Sequence, residues 1–155
     1  MPDSPHDAHR ITGYLTAMSV FGASVATSAL AARARDRSLP ERYAVLDLVL
    51  GAIATHKFAR LVSKDGVTTP LRAPFTEFEE NIGSAEVAER PKEGRFTHVA
   101  GELLTCPFCL APWIATAYVA GLTHAPRQAR AWAAVFSLVG ASDFLQHAYA
   151  HLRTD

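Results

Sequence analysis

The charges of this chain are segregated, and that segregation limits what it can fold into. Between Arg10 and Arg33 lie 22 residues, ITGYLTAMSVFGASVATSALAA, with no Asp, Glu, Lys, Arg or His. Between Glu102 and His124 lie another 21, LLTCPFCLAPWIATAYVAGLT. A helical residue rises about 1.5 Å, so the first run is about 33 Å long and matches a hydrocarbon core of about 30 Å. Two further stretches are almost as clean. Residues 43–55 hold only Asp47 before His56, Lys57 and Arg60 begin, and residues 131–150 hold only Asp143 and His147.

A water-facing helix carries charges every three or four residues along its polar side. These stretches do not. The expected fold is all-α, a single helical membrane domain over 11–151 between short tails at 1–10 and 152–155. Four transmembrane helices are expected near 11–32, 43–63, 103–123 and 130–151, with a long polar connection over 64–101 between the second and third. A soluble four-helix bundle faced with Ser, Thr, Gly and Ala is the alternative. The small residues Gly13, Ala17, Gly22 and Ala26 equally suit close helix approach in lipid. The first run is read as a retained helix and not a cleaved leader, since Asp3 and Asp7 spoil a basic start and the run exceeds a signal core.

Composition removes other classes. Fifteen basic residues balance fifteen acidic ones, and a nucleic-acid binder would show a basic excess on one face. Two cysteines cannot staple a secreted scaffold or build a zinc site alone. The expected partner is the lipid bilayer, with a second membrane protein or a second copy of the chain beside it.

The connection over 64–101 has three prolines and many charges. It reads as a turn, an extended LRAPF segment and a short acidic helix over 76–80, with Thr76 as a candidate N-cap. Residues 65–75 are expected to fold back beside the Cys106–Cys109 helix start, where Arg72 would serve Glu102 or a thiolate as counter-ion. Four spans put both termini on the side of this connection. That side holds nine Lys and Arg against six on the other, which favours cytoplasmic termini and a cytoplasmic connection. Tyr14, Tyr43, Trp113, Trp132 and Tyr149 fall near the expected helix ends, as an interfacial belt would.

Cys106-Pro107-Phe108-Cys109 is the sharpest local motif. At a helix start the macrodipole favours thiolate, Pro107 is tolerated in the first turn, and Thr105 is placed to cap. Three readings stay open. Both cysteines are small packing residues; or they exchange thiol and disulfide, with Cys109 the more buried resolving thiol and the pair the catalytic residues; or they bind metal. Two thiolates make half of a tetrahedral zinc site, which His147 would help complete, with His98, Glu102 and His151 as further donors. Ionisable residues within the apolar runs are the other feature. Asp47 and Asp143 are expected to face the bundle and be paired, Asp143 with His147 one turn on. His56, Lys57, Arg60 and Lys64 form a basic stripe suited to an ion relay, a lipid head group or plain interfacial anchoring.

Three ordered blocks, HKFARLVSKDGVTTPLRAPFTEFE, GELLTCPFCLAPWIAT and SDFLQHAY, resemble the bacterial membrane-protein family of unknown function DUF1360 over about residues 44–150. The resemblance implies a small integral protein of the bacterial cell membrane, multi-pass and of uncharacterised activity. It marks His56, Lys57, Arg60, Asp65, Thr68, Arg72, Pro74, Phe75, Glu102, Cys106, Pro107, Cys109, Trp113 and Asp143 as recurring positions. No substrate or cofactor comes with it. The function expected is therefore that of a structural or interaction component, with a thiol–disulfide redox protein and a metal-binding protein as alternatives.

Overall fold

The computed structural model describes residues 5–83 and 85–153, with side chains from Ile11 onward. Four long helices carry the chain: α1 (Pro5–Ala34), α2 (Val45–Ser63), α5 (Pro107–His124) and α6 (Pro126–Arg153). Between α2 and α5 lie a 3-10 turn (Gly66–Thr68), a one-turn α3 (Thr69–Arg72), strands β1 (Thr76–Asn81) and β2 (Val87–Pro91), and α4 (Arg95–Thr105). The tails expected at 1–10 and 152–155 fall partly outside the described residues; within them α1 and α6 run on into both.

Contacts along the long helices give their directions. Gly13 meets Val99 of α4, Phe21 stacks edge-on to Trp113 at 5.0 Å, and Ser28 reaches His124 at 3.1 Å, so α1 runs parallel to α5. Arg130 holds Asp47 at 2.9 Å, Ser137 donates to the Leu50 carbonyl at 2.8 Å and Lys57 meets Asp143 at 2.9 Å, so α2 runs parallel to α6. Tyr118, late in α5, donates to the Asp47 carbonyl early in α2 at 2.9 Å, which makes those two antiparallel. The course is up, down, up, down. The starts of α1 and α5 share one end with the finishes of α2 and α6.

The core is small. Ala54, Tyr118, Leu122, Ala129 and Ala133 are buried, and Tyr43, Leu50, Trp132 and Phe136 pack on them. Trp132, expected in the aromatic belt, instead lies among Tyr118, Phe58 and Phe136. Large apolar side chains point outward on every long helix, among them Leu15 and Met18 on α1, Leu46 on α2, and Leu138, Phe144 and Leu145 on α6.

Three expectations are corrected. The helix expected over 103–123 is broken: α4 and α5 meet at 82° across Cys106. Proline disfavours helical φ/ψ in the residue before it, and Cys106 sits extended at φ −108°, ψ 105°. The acidic helix expected over 76–80 is strand β1, paired antiparallel with β2, so the fold is not wholly α. Glu77 and Glu80 would repel at i, i+3 on a helix, whereas on the strand Glu77 lies opposite Arg90 and bonds it at 2.7 Å. Finally, against the four spans expected, one helix among the described residues is long and apolar enough to cross a membrane, Ile11–Ala34, with mean hydropathy 1.5. The bent pair α4–α5 is a second if its arms make one span. α2 falls short because Asp47, Lys57 and Arg60 lie in its 19 residues, and α6 because Ser137, Ser142, Asp143, Gln146 and His147 dilute the apolar character of its charge-poor middle.

Candidate functional site

Apart from Asp47, at the far end of α2, most residues singled out in the sequence gather at one end of the bundle, where α2 finishes, α5 begins and the polar connection caps both. At the centre of the cap is Arg72, fully buried. Its Nε donates to Glu89 Oε2 at 2.8 Å and its Nη2 to Glu89 Oε1 at 2.9 Å, a bidentate pair. Nη1 donates to the Val62 carbonyl and to Thr68 Oγ1, both at 2.6 Å, and Nη2 also reaches the Asp65 carbonyl at 3.1 Å. Every guanidinium N–H thus has an acceptor. Glu89 is equally saturated, since Thr69 and Thr76 hydroxyls donate to its two oxygens at 3.0 and 2.7 Å. Burial pushes the Glu89 carboxyl up, but hydrogen bonds from Arg72, Thr76 and Thr69, with the Arg72 charge, outweigh it and hold the group below its ordinary value.

This pair corrects the expected role of Arg72. It serves neither Glu102 nor a thiolate; it ties the end of α2, the 3-10 turn, β1 and β2 into one rigid cap. The fold-back of residues 65–75 does occur against α4: a Cβ on Gly101 would lie 2.7 Å from the Phe75 carbonyl oxygen, so glycine is what lets the segment close. Glu102 faces the other way, bonded by the Tyr14 hydroxyl of α1 and 3.4 Å from His98.

The ionisable residues of α2 are all engaged except His56, which is exposed. Asp47 takes a bidentate grip from Arg130 of α6. Lys57 sits between Asp143 of α6 at 2.9 Å and Asp65 of the connection at 3.6 Å. Asp143 therefore pairs across to α2, not along α6 to His147. Arg60 holds both oxygens of Glu86, through Nε and Nη2, at 2.5–3.1 Å. Glu86 and Glu89 escaped sequence reasoning. They are two acids among several in a polar stretch, and only the β1–β2 pairing brings them under α2.

Cys106 and Cys109 are joined as a disulfide. Cys106 is the N-cap of α5, its Sγ accepting from the Cys109 N–H at 3.2 Å. Thr105, expected to cap, bonds back to the Gly101 carbonyl instead. The expected order of burial is reversed: Cys109 is exposed and Cys106 half-buried. His147 is exposed on α6, and no three His, Cys, Asp or Glu among the described residues group to hold a metal ion. The sulfurs are spent on each other, and the bond closes across the first turn of α5.

Beside the α4–α5 corner a cleft of about 450 Å³ runs between α2 and α5. Leu48, Ala52, Ala115 and Val119 line its length, and His56, Arg60, Pro107 and Phe108 its capped end. Gly51 is what keeps the helices close at its floor, since any Cβ there would overlap the Tyr118 ring.

A family model described as protein of unknown function (DUF1360) matches residues 50–149, from the first half of α2 to the last turns of α6. No curated protein and no solved structure matches the chain.

Proposed function

We propose, from the premise that this chain belongs to the DUF1360 family, that it is a small multi-pass membrane protein acting as a structural or interaction component. In this reading α1, α2, α5 and α6 cross the bilayer and hold the capped end, a rigid platform of turn, hairpin and α4, at one membrane surface. The observation that carries it is the state of α1. Its most apolar 18 residues are only 6% buried, so α1 is not packed as a core helix of this chain. Soluble monomers rarely leave contiguous apolar patches beyond a few hundred Å², and the same outward apolar character continues on α2 and α6.

The charges on α2 and α6 are compatible with immersion because they face each other. Asp47 with Arg130 and Lys57 with Asp143 form interhelical pairs, the arrangement that makes ionisable groups tolerable in lipid. The 82° corner lets α4 lie along the surface while α5 enters, with Val99 packed on Gly13 of α1 and Phe96 exposed. The basic excess at the capped end supports a cytoplasmic platform and cytoplasmic termini in a bacterial cell membrane.

Fractionation tests the reading. The full chain should sediment with membranes, resist alkaline carbonate and come away only in detergent. A folded, monomeric chain in the detergent-free supernatant after ultracentrifugation would overturn it.

A further inference from the structure

We infer that the α2–α5 cleft is a binding site for one phospholipid molecule, its phosphate at His56 and Arg60 and an acyl chain laid along the groove. The inference rests on the membrane reading above and adds a ligand to it. A volume of about 450 Å³ lies inside the range of about 300–1,000 Å³ typical of specific pockets. The walls are mostly apolar, Leu48 and Ala52 facing Ala115 and Val119. The Tyr118 hydroxyl is already spent on the Asp47 carbonyl, and the charged and imidazole groups lie at the capped end. From Leu48 to Arg60 the helix axis covers about 18 Å, close to the ~15 Å of hydrocarbon in one leaflet. An unfilled slot in lipid forfeits dispersion contact along both walls, and an acyl chain is the apolar filler at hand.

The capped end sits level with the corner where α4 turns 82° away from α5, so in the membrane reading it meets the head-group layer. Donors are available there. Arg60 uses Nε and Nη2 on Glu86, which leaves the two N–H groups of Nη1. His56, one turn earlier on the same face, is exposed and lines the cleft. Because Arg60 and Glu86 are neutral as a pair, hydrogen-bond donation to the phosphodiester selects the ligand, and net head-group charge does not. Phosphatidylethanolamine and phosphatidylglycerol should bind alike; diacylglycerol, which lacks the phosphate, should not.

Native mass spectrometry of the full chain, released from mild detergent and titrated with these three lipids carrying identical acyl chains, tests this. One phospholipid per chain should be retained, at least about tenfold more strongly than diacylglycerol. Ala52→Phe and Ala115→Leu fill the groove from opposite walls, and each should cut phospholipid retention at least about tenfold. His56→Ala should weaken both phospholipids and leave diacylglycerol unmoved. Val135→Phe, on the outward face of α6, should change nothing. Equal retention of diacylglycerol, indifference to both groove-filling variants, or displacement of the lipid by inorganic phosphate would overturn the proposal. A chain that needs detergent yet retains no lipid ends this inference and leaves the membrane reading standing; a chain soluble without detergent ends the membrane reading itself.

Discussion

Arg72 is a charge removed wholly from solvent, and it is tolerable only because Glu89, two threonine hydroxyls and two carbonyls of the chain take all its donors. Taking one partner out of such a pair leaves the other buried and uncompensated, at a cost of about 3–5 kcal/mol. Arg72→Met and Glu89→Leu should therefore each lower the thermal midpoint in detergent sharply. Arg72→Lys should lower it too, since an ammonium keeps the charge but cannot make the bidentate fork. Variants that melt like the parent would show that the cap is not held through this pair. The pH dependence follows from the direction of the Glu89 shift. A carboxyl held below its ordinary value contributes stability above that value and loses it as pH falls through the lower folded one. Amides of β1 and β2 should stay protected from hydrogen exchange at about pH 5 and open only well below the free glutamate pKa of about 4.3. Protection already lost near pH 5 would contradict that sign.

At the level of elements, packing depends on a few positions without side chains. Gly51 lets α2 approach the Tyr118 ring of α5, and Gly13 lets α1 approach Val99 of α4. Gly51→Val should cost about 1–3 kcal/mol through overpacking, and Tyr118→Ala in the same chain should restore part of it. Thermal unfolding of the two single variants and the pair checks this; strict additivity would mean the two residues do not share the contact. The long helices were legible in the sequence because charge-free runs are local information. The α4–α5 corner was half legible: Pro107 announces a helix start, but the amphipathic helix before it reads as loop until β2 lies against it. The β1–β2 hairpin was not legible. Its register is fixed by Arg72 reaching Glu89 across 17 residues and by Thr76 bonding the same carboxylate, and no local pattern records such partners. Asp143 likewise looked like a neighbour of His147 because i, i+4 spacing is visible in a sequence and Lys57 across the bundle is not.

For the whole molecule the decisive question is which solvent the outward faces meet, and one substitution separates the two answers. Leu138 stands near the middle of α6 and is 72% exposed, with its back to the α2–α6 contact made by Ser137 and Gly140. In water, an arginine there would be an ordinary surface residue, and substitutions of that kind change stability by less than about 0.5 kcal/mol. In the centre of a bilayer the same side chain must carry its charge into hydrocarbon or bend toward the interface, and insertion of arginine at a helix centre costs about 2.5–3.5 kcal/mol. Leu138→Arg should thus markedly reduce the fraction of chains in which α6 inserts, read by accessibility of engineered cysteines on either side of the membrane. Leu138 takes part in none of the ion pairs between α2 and α6, which run through Arg130 and Asp143, so the substitution removes no existing pair. Leu152→Arg supplies the contrast, because that exposed residue lies in the last turn of the same helix, where a long basic side chain reaches the head groups. Insertion should fail at 138 and persist at 152. If both variants behave like the parent, the apolar faces of α6 meet water, and the helix is an unusually greasy surface element instead of a span.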